Sequence, residues 1–265
     1  MLLCARTGWA DTTNQTAQAI PPAETVIAVG QRWDFHGRWL GIPVGYGWLE
    51  VTERLTLDGR DAFHLEAHGR TNEVLSKIYP VYDVVHSYVD AKTLQPLRFE
   101  KMQREGHYRS DEVVTFDHDR SVATYHSRLS GDTWELPIPE TFYDLLSVLI
   151  WFRAQPLQPG VPLSVNIYTD EKIYDTKILV EEPVELELLK RGTFRCIVVE
   201  PKAAFKGLMV KRGRIWAYLT TDQHRLPLLV KLTTPWGPMT FVLEERSIPK
   251  DVLAAGHADR RPARP

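Results

Sequence analysis

The sequence is poor in cysteine and has almost no net charge. Its 265 residues include two cysteines, Cys4 and Cys196, too few for a disulfide framework or a zinc site built on cysteine. The 32 Lys and Arg residues nearly balance the 34 Asp and Glu residues, and the formal net charge is -2. Because a basic surface is needed to hold a nucleic-acid backbone, this balance argues against a DNA- or RNA-binding function.

Long apolar runs and catalytic signature motifs are also missing. No window reaches the roughly 18 apolar residues that a membrane-spanning helix needs, so no transmembrane segment is predicted. There is no Gly-x-Ser-x-Gly elbow and no glycine-rich phosphate-binding motif. His64 and His68 lie about 13 Å apart if they are on one strand, too far to share a metal. We therefore predict no metal site and no cofactor.

The two ends of the chain lack the pattern of a folded domain. Residues 1–10 are apolar, end in alanine and precede a polar stretch, like the last part of a secretory signal peptide without its basic region. Residues 1–28 are therefore predicted to be a truncated signal peptide and a flexible leader, with a disordered cytosolic N-terminus as the alternative. Residues 248–265 are predicted to be a disordered tail. A single β-rich domain is expected at residues 29–247.

Aromatic residues, in contrast, are plentiful, and apolar and polar residues alternate from Gln31 to about Ser247. The chain contains 8 Trp, 10 Tyr and 9 Phe, residue types that favour strands. Short polar turns such as Asp58-Gly59 separate the strand-like runs. This pattern predicts a mainly β fold, a large antiparallel curved sheet that forms a half-barrel or a flattened barrel.

Two segments break the alternation and are predicted to be helices. Residues 72–79 combine an N-cap residue with apolar residues at helical spacing and end before Pro80. Residues 141–154 start at the N-cap candidate Thr141, end before Pro156 and are apolar on nearly every side. Because a helix that is apolar all round has to be buried, we expect this one to lie across the concave face of the sheet.

Rings and charged side chains occur together in two parts of the sequence. Such mixtures bind glycans or anionic headgroups by stacking and charge-assisted hydrogen bonds. The candidate ligand-binding residues are Tyr82, His86, Tyr88, Arg98, Arg104, Tyr108, Asp144, Trp151, Arg153 and Trp216. The candidate residues for membrane or partner contact are Phe205, Lys206, Leu208, Met209, Lys211 and Arg212. Asp144 and Arg153 either gate a groove or pair within the core. For the basic and aromatic stretches the alternative is a solvated face without a ligand.

Several motifs together indicate a family. They are Gly30-x-x-Trp33-x-Phe35, Gly41-Ile-Pro-Val-Gly45, Asp144-Leu-Leu-Ser-x-Leu-x-Trp-Phe-Arg153, Pro159-Gly160, Gly192-Thr-Phe194, and Trp216 through Asp222 to Leu226-Pro227. As a set they resemble the domain of unknown function 3108 family of exported bacterial proteins. The resemblance covers roughly residues 29–246 and implies a β-rich fold and a periplasmic or exported location. It brings no assigned activity. The strand, Asp turn and Leu-Pro strand are also similar to those of LolA/LolB and RseB-like half-barrels.

Three functions remain open at this point. The leading hypothesis is a non-enzymatic cell-envelope protein that binds a lipid, a lipoprotein or a glycan in the concave face of the sheet. The first alternative is an enzyme that acts on an envelope polysaccharide, which needs two converging carboxylates. Candidates for such a pair are Asp83, Glu100, Asp111 and Glu112. The second alternative is a structural partner within an envelope complex.

Overall fold

The fold consists of strands that form one antiparallel sheet. The computed structural model describes residues 27–189, 191–202 and 214–258. Within them are fifteen strands and two α-helices, α1 (Ser147–Ala154) and α2 (Lys250–Ala258). The strands are β1 (Arg32–Trp39), β2 (Ile42–Leu57), β3 (Arg60–Thr71), β4 (Tyr82–Asp90), β5 (Pro96–Glu105), β6 (Tyr108–Asp117), β7 (Val122–Ser127), β8 (Thr133–Pro137), β9 (Leu163–Thr169), β10 (Lys172–Val180), β11 (Val184–Leu188), β12 (Gly192–Lys202), β13 (Ile215–Thr220), β14 (Pro227–Thr234) and β15 (Gly237–Leu243).

The first and last strands are neighbours in the middle of the sheet. The strand order is β8-β7-β6-β5-β4-β3-β2-β1-β15-β14-β13-β12-β10-β9, and β11 pairs with β12 beside this path. β1 pairs antiparallel with β15, with Phe35 opposite Leu243, so that one ladder joins the two halves of the chain. The prediction of a mainly β fold with a large antiparallel sheet is confirmed, and the sheet is open, not closed on itself.

The turn residues explain why the strands reverse where they do. Asp58 and Gly59 connect β2 to β3 with φ of 49° and 81°, the left-handed conformations that a two-residue hairpin turn of type I′ requires. Leu40 and Gly41 connect β1 to β2 with φ of 50° and 83°. Glycine accepts this conformation without a steric penalty, so each Gly supports the sharp reversal of its hairpin.

The sheet has an inner face, which carries the core, and an outer face. Alternate residues of a strand point to opposite faces, so that on β3 Leu65 belongs to the inner face and His64 and Glu66 to the outer face. Buried side chains from both halves of the chain, such as Leu65, Ile178 and Leu243, belong to one continuous apolar cluster. The two halves therefore fold around a shared core.

A second, aromatic cluster shows how strongly the sheet curves. Tyr168 of β9 makes edge-to-face contacts with Phe99 of β5 at 6.0 Å and with Phe116 of β6 at 5.2 Å, measured between ring centroids. β9 is the last strand of the sheet order, yet it contacts strands of the first half across the inner face. The inner face is thus enclosed and filled with rings.

The long buried helix is shorter than predicted. α1 comprises Ser147–Ala154, whereas residues 141–144 lie outside it and Leu145 and Leu146 form the turn that leads into it. Tyr143 forms a parallel bridge with Ile167 of β9, in which the Tyr168 amide donates to the Tyr143 carbonyl at 2.7 Å. The expected N-cap, Thr141, therefore lies before this bridge and does not cap the helix. The first turn is capped by Asp144 instead.

The short helix is also reduced. Of residues 72–79, only Leu75–Lys77 form a 3₁₀ turn, and its apolar residues Val74 and Ile78 are exposed. The predicted capping residue does act, because the Asn72 side-chain oxygen accepts the Leu75 amide at 2.8 Å. The segment is too short to bury one face, so it remains a connection between β3 and β4.

The predicted disordered tail needs a correction. Lys250–Ala258 form α2, which packs against β12 with Val252 buried. Gly256 faces the ring of Phe194 so closely that an added Cβ would lie 2.5 Å from the ring atom Cε1. A few apolar residues of α2 are enough to dock it on the sheet, and they are too few to form a clear helical pattern in the sequence. Residues 1–26 and 259–265 lie outside the described residues.

Gly256→Ala is expected to lower stability. In an exposed helix position this change stabilises a protein by about 1 kcal/mol, because glycine has a poor helix propensity. Here the new methyl group would clash with Phe194, whose ring is buried and cannot move aside, so the sign should reverse. Urea unfolding of the wild type, Gly256→Ala, Phe194→Leu and the double variant measures this. Gly256→Ala should destabilise the wild type but not the Phe194→Leu protein, in which the ring is absent. A Gly256→Ala protein more stable than the wild type would contradict the packing.

Candidate functional site

Part of the first predicted ligand-binding set lies on the outer face. His86 and Tyr88 of β4 and Arg98 of β5 are on this face in adjacent positions of the ladder, with Tyr88 opposite Arg98. The Arg98 guanidinium lies 5.9 Å from the centroid of the Tyr88 ring, and Tyr88 stacks on His64 at 4.4 Å. These side chains form a continuous surface of rings and one cation. Such a surface can hold a planar or anionic group.

The other members of this set lie further along the strands. Tyr82 begins β4, and its ring is 6.4 Å from that of His68. Arg104 and Tyr108 flank the hairpin between β5 and β6, and both are exposed. The structure therefore brings His86, Tyr88 and Arg98 together. The other three, Tyr82, Arg104 and Tyr108, lie at or near the ends of their strands.

Asp144 has a structural role in the core. Its side chain is fully buried and accepts the amides of Leu146 at 2.9 Å and Ser147 at 2.8 Å, so that it caps the first turn of α1. The Ser87 hydroxyl of β4 also donates to it. Burial raises the pKa of Asp144, and these hydrogen bonds oppose the increase. The carboxyl group thereby ties α1 to the sheet.

Arg153, at the other end of α1, also contacts backbone and a ring. Its Nε and Nη2 donate to the carbonyl of His224 at 3.2 and 3.1 Å, and its guanidinium lies 4.8 Å from the Trp33 ring centroid. Burial lowers the pKa of Arg153 to about 10. Among the ion pairs of the described residues none joins Arg153 to Asp144. Trp151, between them in sequence, packs in the core on Tyr143 at 5.3 Å.

Trp216 lies at the base of the β12–β13 hairpin. The Arg214 guanidinium covers its ring at 4.4 Å and forms a two-pronged ion pair with the buried Glu200, at 2.5 and 2.8 Å. Lys202 contacts the same carboxylate at 2.6 Å. The predicted membrane- or partner-contact residues, Phe205, Lys206, Leu208, Met209, Lys211 and Arg212, lie outside the described residues.

The structure also reveals a larger surface, which we call the rim, and of its residues the sequence indicated only Tyr82 and Tyr108. The rim is the row of connections at one end of the strands. It consists of the β1–β2 and β14–β15 hairpins, the β3–β4 connection and the β5–β6 hairpin. Large apolar side chains at this edge are between 36% and 81% exposed: Trp39, Leu40, Ile42, Val74, Ile78, Tyr79, Tyr82, Tyr108 and Trp236. Apolar side chains gathered at one edge are a feature of interaction surfaces.

Two hairpins of the rim are fixed against each other. The Trp39 indole donates to the carbonyl of Trp236 at 3.0 Å, and the Leu40 amide donates to that of Pro238 at 3.0 Å. Gly237, with φ of 117°, fits under Leu40, since a Cβ there would lie 2.8 Å from Leu40 Cδ2. The two exposed tryptophans are therefore held side by side by the backbone, without depending on a flexible loop.

The carboxylates proposed for catalysis are mostly neutralised by cations. Arg128 binds both Glu100 and, at 3.2 Å, Asp111. Lys101 binds the buried Glu112 at 3.0 Å. Asp83, near the rim, instead neighbours Glu105, and burial together with this second carboxylate raises the pKa of Glu105 to about 7. Glu105 therefore changes its charge near neutral pH.

An open antiparallel sheet that curves around a filled core defines the chain as a β-barrel-like protein. The model of the family described as "Protein of unknown function (DUF3108)" matches residues 33–244, and the chain belongs to that family. The resemblance expected from the motifs is thus confirmed. No curated protein matches the chain.

Two solved structures align with most of the chain. A β-barrel-like protein of Brucella abortus, from the domain of unknown function DUF1849, aligns with a TM-score of 0.55 and 10% identity over 82% of this chain and 98% of its own. A candidate exported protein of Bacteroides fragilis with a YmcC-like fold reaches a TM-score of 0.30 and 12% identity, over 82% and 95% of the two chains. The first of these likenesses supports the fold alone. No helix in the described part of the chain is long and apolar enough to cross a membrane.

Glu105→Gln is expected to change how stability depends on pH. The folded-state pKa of about 7 lies above the ordinary value of 4.5, so the folded protein binds this proton more tightly than the unfolded chain. The contribution of Glu105 to stability is therefore complete below the unfolded pKa and is lost as pH rises through the folded pKa. Urea unfolding of both proteins across this window should show the variant gaining stability relative to wild type as pH rises.

The control for that experiment is Glu73→Gln, which removes an exposed carboxylate of the β3–β4 connection. Its difference from wild type should stay constant across the same window. A Glu105→Gln difference that does not vary with pH would contradict the raised pKa of Glu105.

Proposed function

We propose that this protein is a non-enzymatic envelope protein that binds a lipid surface through its rim. The observation that carries the proposal is the gathering of nine large, exposed apolar side chains at one edge of the sheet. Five of the nine are Trp or Tyr, residue types that sit at the boundary between headgroups and acyl chains. Fully burying one large apolar side chain contributes about 1.5–3 kcal/mol, so a few of them suffice for measurable binding.

Charge near the rim supports an anionic lipid surface. Arg38, Lys77 and Arg109 are exposed and each is next to a rim side chain in sequence. Arg104 is also exposed and lies opposite Arg109 in the ladder between β5 and β6. Each basic residue close to an anionic leaflet adds about 1 kcal/mol of attraction. The strand ends that flank residues 203–213 adjoin the same edge, because the Thr233 amide donates to the Arg214 carbonyl at 2.9 Å. That segment carries the cations and apolar residues predicted for membrane contact.

The rim is a better candidate than the inner face. The predicted ligand site in the concave face is occupied by core side chains, including Ile150 and Trp151 of α1 and Tyr143. A ligand there would have to displace α1, which is tied to the sheet at both ends, by Asp144 and by Arg153. The rim can bind without any such rearrangement. The resemblance of the sequence motifs to a family of exported proteins supports an envelope location.

Flotation with vesicles tests the proposal. The full chain should float with vesicles of phosphatidylethanolamine and phosphatidylglycerol, less with neutral phosphatidylcholine, and less at high salt because charge attraction is screened. Trp39→Ser/Trp236→Ser should weaken binding by at least about tenfold, since losing one buried aromatic side chain costs more than the ~1.4 kcal/mol that a factor of ten requires.

The matched control is Val29→Ser/Leu189→Ser. These two apolar side chains are 52% and 84% exposed but lie at the strand ends opposite the rim, so their loss should leave flotation unchanged. Circular dichroism of each variant checks folding. Absence of flotation by the wild type, or equal losses in the two double variants, would overturn the proposal. A stable protein partner in place of vesicle binding would favour the structural alternative.

A further inference from the structure

Three side chains with metal-binding atoms converge on the outer face. His64 and Glu66 lie two residues apart on β3, and His86 of β4 is directly opposite Glu66 in the antiparallel ladder. One ligand atom of each residue lies within 4.8 Å of the other two. We infer that His64, Glu66 and His86 form a binding site for a divalent zinc ion. The inference is independent of the proposed lipid binding.

The distances are close to those of a coordinated ion. Zinc bonds of about 2.0–2.1 Å in a tetrahedron separate neighbouring ligand atoms by roughly 3.3 Å. His64 Nε2 and His86 Nδ1 are 3.0 Å apart, within hydrogen-bond distance, and His86 Nδ1 is 4.0 Å from Glu66 Oε2. A bound ion would replace the proton that lies between the two rings, and the neutral His86 ring would then carry its proton on Nε2. Shifts of less than about 1 Å in the side chains would therefore bring the three atoms into the geometry of zinc ligands.

The hydrogen bonds around His64 leave the lone pair of its Nε2 free to face the proposed zinc position. Thr52 Oγ1 lies 3.2 Å from the His64 backbone carbonyl, which can only accept, so the single hydroxyl proton of Thr52 is used there. The same oxygen lies 2.8 Å from His64 Nδ1 and must accept its proton. In a neutral ring Nε2 is then unprotonated and faces His86. An outer partner that fixes the tautomer in this way is a regular feature of metal-binding histidines.

Glu66 and the rings are also held in place. The second oxygen of Glu66 is bound by His68 Nε2, and the His68 ring stacks on Trp48 at 4.3 Å. The His64 ring is stacked on Tyr88 at 4.4 Å. A ligand set with fixed ring orientations loses little conformational entropy when it binds an ion.

The ligand set selects the class of metal. Two imidazole nitrogens and one carboxylate oxygen suit zinc, whereas Ca²⁺ and Mg²⁺ prefer oxygen ligands throughout. The side chains of His86 and Glu66 are 31% and 27% exposed, so a fourth position opens toward solvent on the outer face. No metal site was predicted because the histidines, His86 among them, are scattered along the sequence and form no dense ligand cluster there. The ladder between β3 and β4 brings His86 next to His64 and Glu66.

Calorimetric titration of the untagged full chain with zinc chloride, after removal of metal with a chelator, tests the site. We expect one ion per chain in this site. His86→Ala should weaken binding by at least about 100-fold, since even residues that only orient a ligand change affinity by 10–100-fold. His126→Ala is the matched control, because His126 is exposed on the same face of β7 and lies outside the cluster.

A second readout separates loss of the site from loss of the fold. Glu66→Gln keeps the shape of the side chain and should weaken zinc binding while leaving the circular dichroism of the metal-free protein unchanged. With Co²⁺ in place of zinc, the wild type should show the intense visible absorption of a four-coordinate ion, and both site variants should lose it. Affinities in His86→Ala and Glu66→Gln that equal those of wild type and His126→Ala would overturn the inference.

Discussion

The pairing of β1 with β15 is the constraint on which the rest of the structure depends. It joins the first and last strands of the chain, so two meanders that would each have an open edge become one sheet around a shared core. The same ladder brings Trp39 opposite Met239 and so sets the β1–β2 hairpin beside the β14–β15 hairpin. The rim is therefore a consequence of how the sheet is assembled.

Local signals in the sequence predicted much of the fold. Alternation and turn residues such as Asp58-Gly59 indicated the antiparallel sheet because they act over two to four residues. The bounds of α1 were harder to predict, since a buried strand and a buried helix are both continuously apolar, and Tyr143 belongs to the strand-like piece. The docking of α2 depends on Phe194, more than fifty residues earlier, so its short apolar stripe carried no clear signal.

The candidate site residues were likewise only partly predictable from the sequence. Asp144 and Arg153 attracted attention as polar residues in an apolar segment, and the structure assigns them hydrogen bonds with backbone groups that hold α1 in place. Burying a polar group without such partners would be costly, which explains their positions. The rim and the histidine cluster, in contrast, are assembled from residues distant in sequence. Strand pairing brings Trp236 next to Trp39 and His86 next to His64. Local sequence patterns do not show which strands pair or in which register, so these contacts could not be predicted.

Hydrogen–deuterium exchange of the full chain, with and without phosphatidylglycerol vesicles, tests the central claim most directly, namely that lipid contact occurs at the rim and leaves the filled inner face intact. We expect slower exchange at residues 39–42, 72–82 and 234–238 when vesicles are present, with α1 unchanged. Protection confined to the strand ends opposite the rim, faster exchange across α1, or no change at the rim would contradict it.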